Sequence, residues 1–183
     1  MTPEQHVLRW QELHGVPASG LVRRWLGLVL WVSRPLRVPP WTVTLAGLLV
    51  TVLALAVPLP VAAVLVLLAG LLDGVDGCVA ALQDRASDLG RRLDHGADRV
   101  GELVFGALLW RAGAPAWLAA LAVVLMWAVE ALRRGPVVTV GERPVRVLFT
   151  ASALVVVPLV WTWGLVALSV AALGQVFRAR IVT

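Results

Sequence analysis

Lysine and tyrosine are absent from this sequence of 183 residues, and Cys78 is its single cysteine. One cysteine excludes an intramolecular disulfide and does not indicate a zinc site. Charged residues are also scarce: they make up 15% of the chain, compared with about 25% in a typical soluble domain. The start of the chain lacks a basic segment followed by a short apolar core and a small-residue cleavage site, so we expect no signal peptide.

Hydrophobic residues, in contrast, make up 60% of the chain and occur in long runs. The length suits one membrane domain of several helices and leaves no room for a second globular unit. The formal net charge is +5, but the Arg residues interrupt the apolar runs and form no continuous basic stripe. We therefore attribute the charge to membrane topology and to contacts with anionic membrane lipids, and we expect no nucleic-acid partner.

Six apolar runs are long enough, or nearly long enough, to cross a bilayer as helices. They cover Trp41 to Val57, Val61 to about Leu82, Asp88 to Trp110, Pro115 to Leu132, Val145 to about Leu159, and Trp161 to Phe177. The earlier run from Leu21 to Val32 contains Arg23 and Arg24. It would span only about 18 Å, which indicates an interfacial helix. Trp25 and Trp31 would anchor this helix at the membrane surface.

The distribution of Arg gives the direction of the predicted helices. Of the sixteen Arg residues, only Arg111 falls in a loop on one side of the predicted membrane, and Arg99 lies within the third run. By the positive-inside rule, both termini and the loop between the second and third helices are cytoplasmic. The sequence thus predicts an all-α integral membrane fold. Residues 1–37 form a cytoplasmic N-terminal segment with an interfacial amphipathic helix, and residues 38–183 form six transmembrane helices of a multi-pass plasma-membrane protein.

Four aspartates flank the loop between the second and third predicted helices. Asp73 and Asp76 stand near the end of one helix, and Asp94 and Asp98 near the start of the next. The spacing places each pair on one helix face. Carboxylates beside hydrocarbon are costly, and four together repel one another, so they predict a functional site. Hard oxygen donors suit Mg²⁺, Mn²⁺ or Ca²⁺, and such a cation would bridge substrate phosphates.

The register of these residues favours a site over simple helix capping. Gly77 and Ala80 share the face of Asp73 and Asp76, and their small size would let a bulky polar ligand approach the backbone. A carboxylate-dependent membrane transporter is an alternative, but it would hold its acids near the bilayer midplane. A prenyltransferase of the UbiA type would need more spans, and a membrane scaffold would not need this register.

The chain resembles the CDP-alcohol phosphotransferases, whose signature is D-x-x-D-G-x-x-A-R, eight residues, then G-x-x-x-D-x-x-x-D. The matching residues are Asp73, Asp76, Gly77, Ala80, Gly90, Asp94 and Asp98. The segment from Pro40 to Gly47 is similar to the family's P-N-x-x-T-x-x-G entry to the first helix, with Trp41 in place of Asn. One position departs from the signature. Ala81 stands where the family has an Arg that would contact the donor phosphates.

The resemblance implies transfer of a phosphatidyl or similar group from a CDP-linked lipid, such as CDP-diacylglycerol, to an alcohol, with release of CMP. It implies Mg²⁺ or Mn²⁺ held by Asp73, Asp76, Asp94 and Asp98, of which Asp98 would also be the general base. The donor-binding residues that it implies are Thr44, Asp76, Gly77 and Ala80. Arg85 and Arg91 would supply the charge that Ala81 lacks. A homodimer is also expected, and a catalytically weakened family member is an alternative.

Four arginines gather at the predicted cytoplasmic ends of the fourth and fifth helices: Arg133, Arg134, Arg143 and Arg146. The E-R-P-x-R piece that begins at Glu142 is similar to phosphatidylinositol-phosphate synthases, in which basic residues of this area bind the phosphate of the acceptor. Guanidinium forks suit a phosphate dianion, although any cytoplasmic loop gathers Arg. The candidate acceptors are inositol phosphate, glycerol 3-phosphate and phosphatidylglycerol, so the acceptor is a small polar or a lipid alcohol.

Overall fold

The computed structural model describes residues 27, 29–83, 88–132 and 143–182. Within these ranges the chain is helical and contains no strand. Six α-helices follow one another: α1 (Pro40–Leu53), α2 (Leu59–Gln83), α3 (Asp88–Arg111), α4 (Ala116–Leu132), α5 (Arg143–Val155) and α6 (Pro158–Val182). A 3₁₀ turn (Ala54–Ala56) continues α1. The predicted all-α class is confirmed.

The largest difference from the predicted boundaries lies between α5 and α6. The fifth run was expected to continue to about Leu159, and this is wrong: α5 ends at Val155 and α6 begins at Pro158. The residue before a proline avoids the helical conformation, while proline itself fits the first turn of a helix. The apolar character of the chain continues through this turn, so hydropathy did not reveal it.

In the part of the chain that the structure describes, two helical segments are long and apolar enough to cross a membrane by themselves, Leu59–Ala80 and Pro158–Arg178. Three further apolar helices are shorter, Pro40–Ala56, Ala116–Leu132 and Val145–Val155. Large apolar side chains point outward along the bundle, and Val64, Val124 and Val160 are each about 60% exposed. An apolar exterior of this extent is typical of a surface that faces hydrocarbon.

The end of the predicted interfacial helix is helical from residue 29 to residue 33, whereas Trp25 and most of that helix lie outside the described residues. Val29 and Leu30 are buried, and they pack with Val75 and Val79 of α2. Trp31 is 69% exposed, as expected of a residue that anchors a helix at a membrane surface. This short segment thus closes one side of the end of α2 that carries the aspartates.

Helix α1 lies between α2 and α3 and packs along both, whereas the backbones of α2 and α3 stay farther apart. A Cβ built on Gly47 of α1 would lie 3.4 Å from the Leu72 Cβ of α2. One built on Gly101 of α3 would lie 3.9 Å from the Thr51 methyl of α1. Helix α5 also packs on both α2 and α3. The two helices that carry the aspartates are therefore held at their distance by α1 and α5.

Arg111 fixes the opposite ends of the same helices. It ends α3, and its guanidinium donates hydrogen bonds to the carbonyl oxygens of Leu55, at 2.6 Å, and of Val57. Carbonyls at the end of a helix have no partner within that helix. The Arg111 side chain thus supplies hydrogen-bond donors to the carbonyl groups between α1 and α2. It ties these two helices to α3 far from the aspartates.

Candidate metal and substrate site

Three of the four predicted aspartates converge where α2 ends and α3 begins. One carboxylate oxygen each of Asp73, Asp76 and Asp94 lies within 4.8 Å of the other two. Asp98 follows Asp94 by one helical turn and faces the same small cavity. This cavity of about 20 Å³ is lined by Thr44, Gly47, Leu48, Thr51, Ala69, Asp73, Asp76, Asp94, Ala97 and Asp98.

The electrostatics of this group fit a divalent cation. Two carboxylate charges 4.8 Å apart repel by about 3.5 kcal/mol at an effective dielectric constant of about 20. A cation among the three oxygens would turn this repulsion into attraction, and hard oxygen donors are the ligands that Mg²⁺ and Mn²⁺ prefer. The cavity has room for about one water-sized species. Both the donors and the space therefore suit one metal ion at this point.

Thr44 holds one of the three carboxylates. Its hydroxyl donates a hydrogen bond of 2.6 Å to Oδ2 of Asp76, and both side chains are buried. From its motif, Thr44 was predicted to contact the nucleotide of the donor. The structure gives it a partner within the protein, so the hydroxyl fixes the orientation of the Asp76 carboxylate across the interface between α1 and α2.

Removing this hydroxyl is expected to weaken metal binding. Thr44→Val keeps the shape of the side chain but leaves Asp76 without its donor. Groups that orient a metal ligand typically change metal affinity or activity by about 10- to 100-fold. A Mn²⁺ titration followed by EPR measures the effect, with Thr44→Ser, which retains the hydroxyl, as the control. Equal affinity in the Val and Ser variants would show that the hydrogen bond does not orient the ligand.

The small residues of the motif leave space beside the carboxylates. Gly77 is exposed, and no atom lies within 4 Å of the position that a Cβ would occupy there. Ala80 follows one turn later and is half-buried. An added Cβ at position 77 would clash with no neighbouring atom. The glycine therefore leaves the space beside α2 open.

The predicted phosphate-binding arginines are distributed over several places. Arg91 is exposed and pairs with Asp88 in the first turn of α3. Arg85, Arg133 and Arg134 lie outside the described residues, as does the side chain of Arg143, whose backbone begins α5. The assignment of Arg85 and Arg91 to the donor, and of the others to the acceptor, stays a prediction.

Arg146 occupies a different environment from an exposed phosphate-binding residue, because its side chain is almost fully buried. Its Nη1 donates to Oε1 of Glu102 and its Nη2 to Oε1 of Glu130, each at 2.7 Å. Glu102 also pairs with Arg99 at 2.8 Å. Two arginines and two glutamates thus form a neutral network that joins α3, α4 and α5. Glu102, one turn after Asp98, contacts both arginines of this network.

The sequence motifs missed two residues of α1 that line the cavity, Leu48 and Thr51. Gly47, Leu48 and Thr51 follow Thr44 at intervals of three, four and seven residues, so all four lie on one face of α1. This helical spacing could have identified the face once Thr44 was placed in the site. Neither Leu48 nor Thr51 belongs to a motif quoted for its chemistry. The wall opposite the aspartates is therefore built by ordinary helix packing.

A comparison with protein families matches residues 36–177 to the family model described as CDP-alcohol phosphatidyltransferase. The match covers most of the chain and includes every element of the site. The protein belongs to the CDP-alcohol phosphatidyltransferase family, a family of transferases that use CDP-alcohol donors and alcohol acceptors. Its apolar helices agree with the membrane nature of this family. None of the curated proteins compared with the chain matches it significantly.

Proposed function

We propose that the protein transfers the phosphatidyl group of CDP-diacylglycerol to the hydroxyl group of an alcohol and releases CMP, as a step of phospholipid biosynthesis. Mg²⁺ or Mn²⁺ supports the reaction. The observation that carries this proposal is the convergence of Asp73, Asp76 and Asp94, from both halves of the motif, within 4.8 Å. Carboxylates gathered this closely suit a cation that neutralises a diphosphate, and CDP-diacylglycerol contains one.

Asp73, Asp76 and Asp94 hold the metal, which stabilises the negative charge of the diphosphate when it is bound. Asp98 faces the same cavity from the next turn of α3. Its carboxylate can therefore reach a hydroxyl group beside the phosphorus, and we assign it as the general base. Among the described residues it lies outside the group of three that come within 4.8 Å. This position suits a base better than a required metal ligand.

In the reaction, the acceptor oxygen attacks the phosphorus that carries the diacylglycerol. A new P–O bond forms as the P–O bond to the CMP phosphate breaks, and its electron pair leaves with CMP. The acceptor proton passes to Asp98 and then to water. The open side of Gly77 and Ala80 admits the CDP group, while Thr44 acts on the donor through Asp76. Arg85 and Arg91 replace the phosphate contact that the family obtains from the position of Ala81.

The acceptor carries a phosphate, as in inositol phosphate or glycerol 3-phosphate. Arg133, Arg134 and Arg143 bind this phosphate, because guanidinium groups make paired hydrogen bonds to a dianion. Arg146 was predicted to belong to the same set. Its contacts with Glu102 and Glu130 favour a role in positioning the helices instead.

The placement in the membrane completes the proposal. All six helices of residues 38–183 cross the bilayer of the plasma membrane, both termini and the site face the cytoplasm, and residues 1–37 lie on that surface. The polar ends of α2 and α3 agree with this direction, since they carry the charged residues that the hydrocarbon excludes. Two copies of the chain form a homodimer in the membrane.

A panel of acceptors tests the proposed reaction. The purified protein is incubated with CDP-diacylglycerol, Mn²⁺ or Mg²⁺, and one alcohol at a time, and both CMP and the lipid product are measured. We expect a phosphorylated polyol to give CMP and a new anionic phospholipid in equal amounts. Product with phosphatidylglycerol alone would reject a phosphorylated polyol as the acceptor but keep the reaction. Metal-dependent ion flux without CMP release would instead favour a carboxylate-dependent transporter. Slow turnover with every acceptor would favour a catalytically weakened enzyme.

A further inference from the structure

We propose that the adjacent residues Arg146 and Val147 of α5 set the distance between α2 and α3, and thereby the geometry of the carboxylate group. Arg146 is then a positioning residue rather than a ligand of the acceptor phosphate. The inference rests on the proposed metal site, but it concerns residues outside the motif and outside the cavity.

Val147 fixes α5 against α2. A Cβ built on Gly70 of α2 would lie 2.8 Å from Cγ1 and 3.0 Å from Cγ2 of Val147. These distances are far below van der Waals contact, so the valine fits closely into the gap that the glycine leaves. Val147 also belongs to the buried core cluster that joins Val66 of α2 with Phe105 of α3. Gly70 precedes Asp73 by about one helical turn.

Arg146 fixes α5 against α3 and α4. Its guanidinium bridges Glu102 and Glu130 at 2.7 Å each. Charge-assisted hydrogen bonds of this length are strong and directional, and the loss of one buried partner leaves the others uncompensated. Glu102 follows Asp98 by one helical turn, so the contact is made just beyond the site on the same helix.

Two neighbouring residues of a helix point about 100° apart, and for this reason they reach two different helices. Val147 contacts α2 and Arg146 contacts α3, whereas the backbones of α2 and α3 come close to each other at few points. The first turns of α5 therefore act as a wedge between the two helices that carry the aspartates. A shift of this wedge moves Asp73 and Asp76 relative to Asp94. Misplacement by about 1 Å is sufficient to cost about 100-fold in the rate of a reaction.

The steric half of the wedge is tested by Gly70→Ala, whose added methyl group meets Val147. We expect the Mn²⁺ affinity, measured by EPR on the purified full-length protein, to fall by about tenfold, as for other residues that orient metal ligands. Gly70→Ala/Val147→Ala makes room for the methyl group and is expected to restore most of the affinity. Gly174→Ala on α6 is the matched control, because no atom lies within 4 Å of its added Cβ.

The polar half is tested by Arg146→Lys, which keeps the buried positive charge but cannot bridge two carboxylates in the same way. Arg146→Met/Glu130→Gln removes one charge of each sign and leaves the pair of Arg99 and Glu102 neutral. We expect both variants to lose about tenfold in Mn²⁺ affinity or more. Arg178→Met is the control, because it removes an exposed arginine at the end of α6.

The results separate this inference from the proposed function. Wild-type Mn²⁺ affinity in all variants, together with a raised KM for a phosphorylated acceptor in Arg146→Lys, would overturn the positioning role and return Arg146 to the acceptor site. Weakened Mn²⁺ binding at an unchanged acceptor KM supports the wedge. If the wild-type protein itself bound no Mn²⁺, the proposed metal site would fail, and the wedge would fail with it for lack of a site to position.

Discussion

Asp98→Asn is expected to reduce CMP release by about 10²- to 10⁴-fold, the range of a general base, while Mn²⁺ still binds. The amide keeps the shape of the side chain but cannot accept the proton of the acceptor hydroxyl. The three carboxylates of Asp73, Asp76 and Asp94 remain in place, and they form the close group without Asp98. Metal binding and catalysis should therefore separate in this variant.

The measurement combines two readouts on the same preparation. CMP is followed with CDP-diacylglycerol and a phosphorylated polyol, and Mn²⁺ binding is followed by EPR. The control is Arg178→Met, because this exposed arginine near the end of α6 lies outside the site. Normal turnover of Asp98→Asn would exclude it as the base. Loss of Mn²⁺ together with turnover would assign Asp98 to the metal instead.

Asp94→Asn is expected to abolish both Mn²⁺ binding and CMP release, and at the same time to raise the thermal stability of the metal-free protein. Asp94 is the only member of the three-carboxylate group that comes from α3. The amide that replaces it keeps one oxygen but no negative charge, and the two carboxylates that remain both belong to α2, so negative charge no longer surrounds the cation. The variant also removes repulsion of about 3.5 kcal/mol per pair of charges, which the metal-free wild type retains.

Thermal unfolding in EDTA and in MnCl₂ measures both effects. The wild-type Tm should rise on addition of Mn²⁺, since a ligand that binds only the folded state stabilises it. Asp94→Asn should start at a higher Tm in EDTA and show no rise with Mn²⁺. A variant that is less stable than the wild type in EDTA would show that repulsion among the aspartates does not destabilise the metal-free protein. A variant that still gains stability from Mn²⁺ would show that Asp94 is not required for metal binding.

The sequence was sufficient to predict the aspartate-bearing ends of α2 and α3. The composition changes sharply there, from apolar residues to charged ones, and Asp88 begins α3 as expected. At the turn between α5 and α6 the same reasoning failed. The side chains of Val155, Val156, Val157, Leu159 and Val160 are all exposed and apolar. Hydropathy does not distinguish an apolar turn in contact with lipid from an apolar helix, and only Pro158 marked the boundary.

Contacts between distant helices were beyond the reach of motif reasoning. Thr44 and Asp76 stand 32 residues apart, and nothing in either motif shows that the hydroxyl donates to this carboxylate. Arg146 was grouped with three neighbouring arginines because all lie at the same predicted membrane surface. The structure buries Arg146 between two glutamates. Local charge predicts which residues lie at a membrane surface, but it does not give the partner of each side chain.

The wedge formed by α5 also changes how the departure at Ala81 is interpreted. The metal group depends on the spacing of α2 and α3, and Gly47, Thr51, Gly70 and Arg146 lie at the contacts that set this spacing. The loss of the motif arginine should therefore affect the affinity for the donor and leave the metal site intact. This distinction favours an active enzyme with altered donor contacts over a silent family member.

The most direct test of the whole account is CMP release from CDP-diacylglycerol by the purified wild-type protein, in MnCl₂ or MgCl₂ and in EDTA, with Asp94→Asn alongside. We predict that CMP and a new phospholipid form together in the presence of the divalent cation, and that both stop in EDTA and in the variant. CMP release at the same rate in EDTA, or in Asp94→Asn, would contradict a metal-bound diphosphate at this carboxylate group.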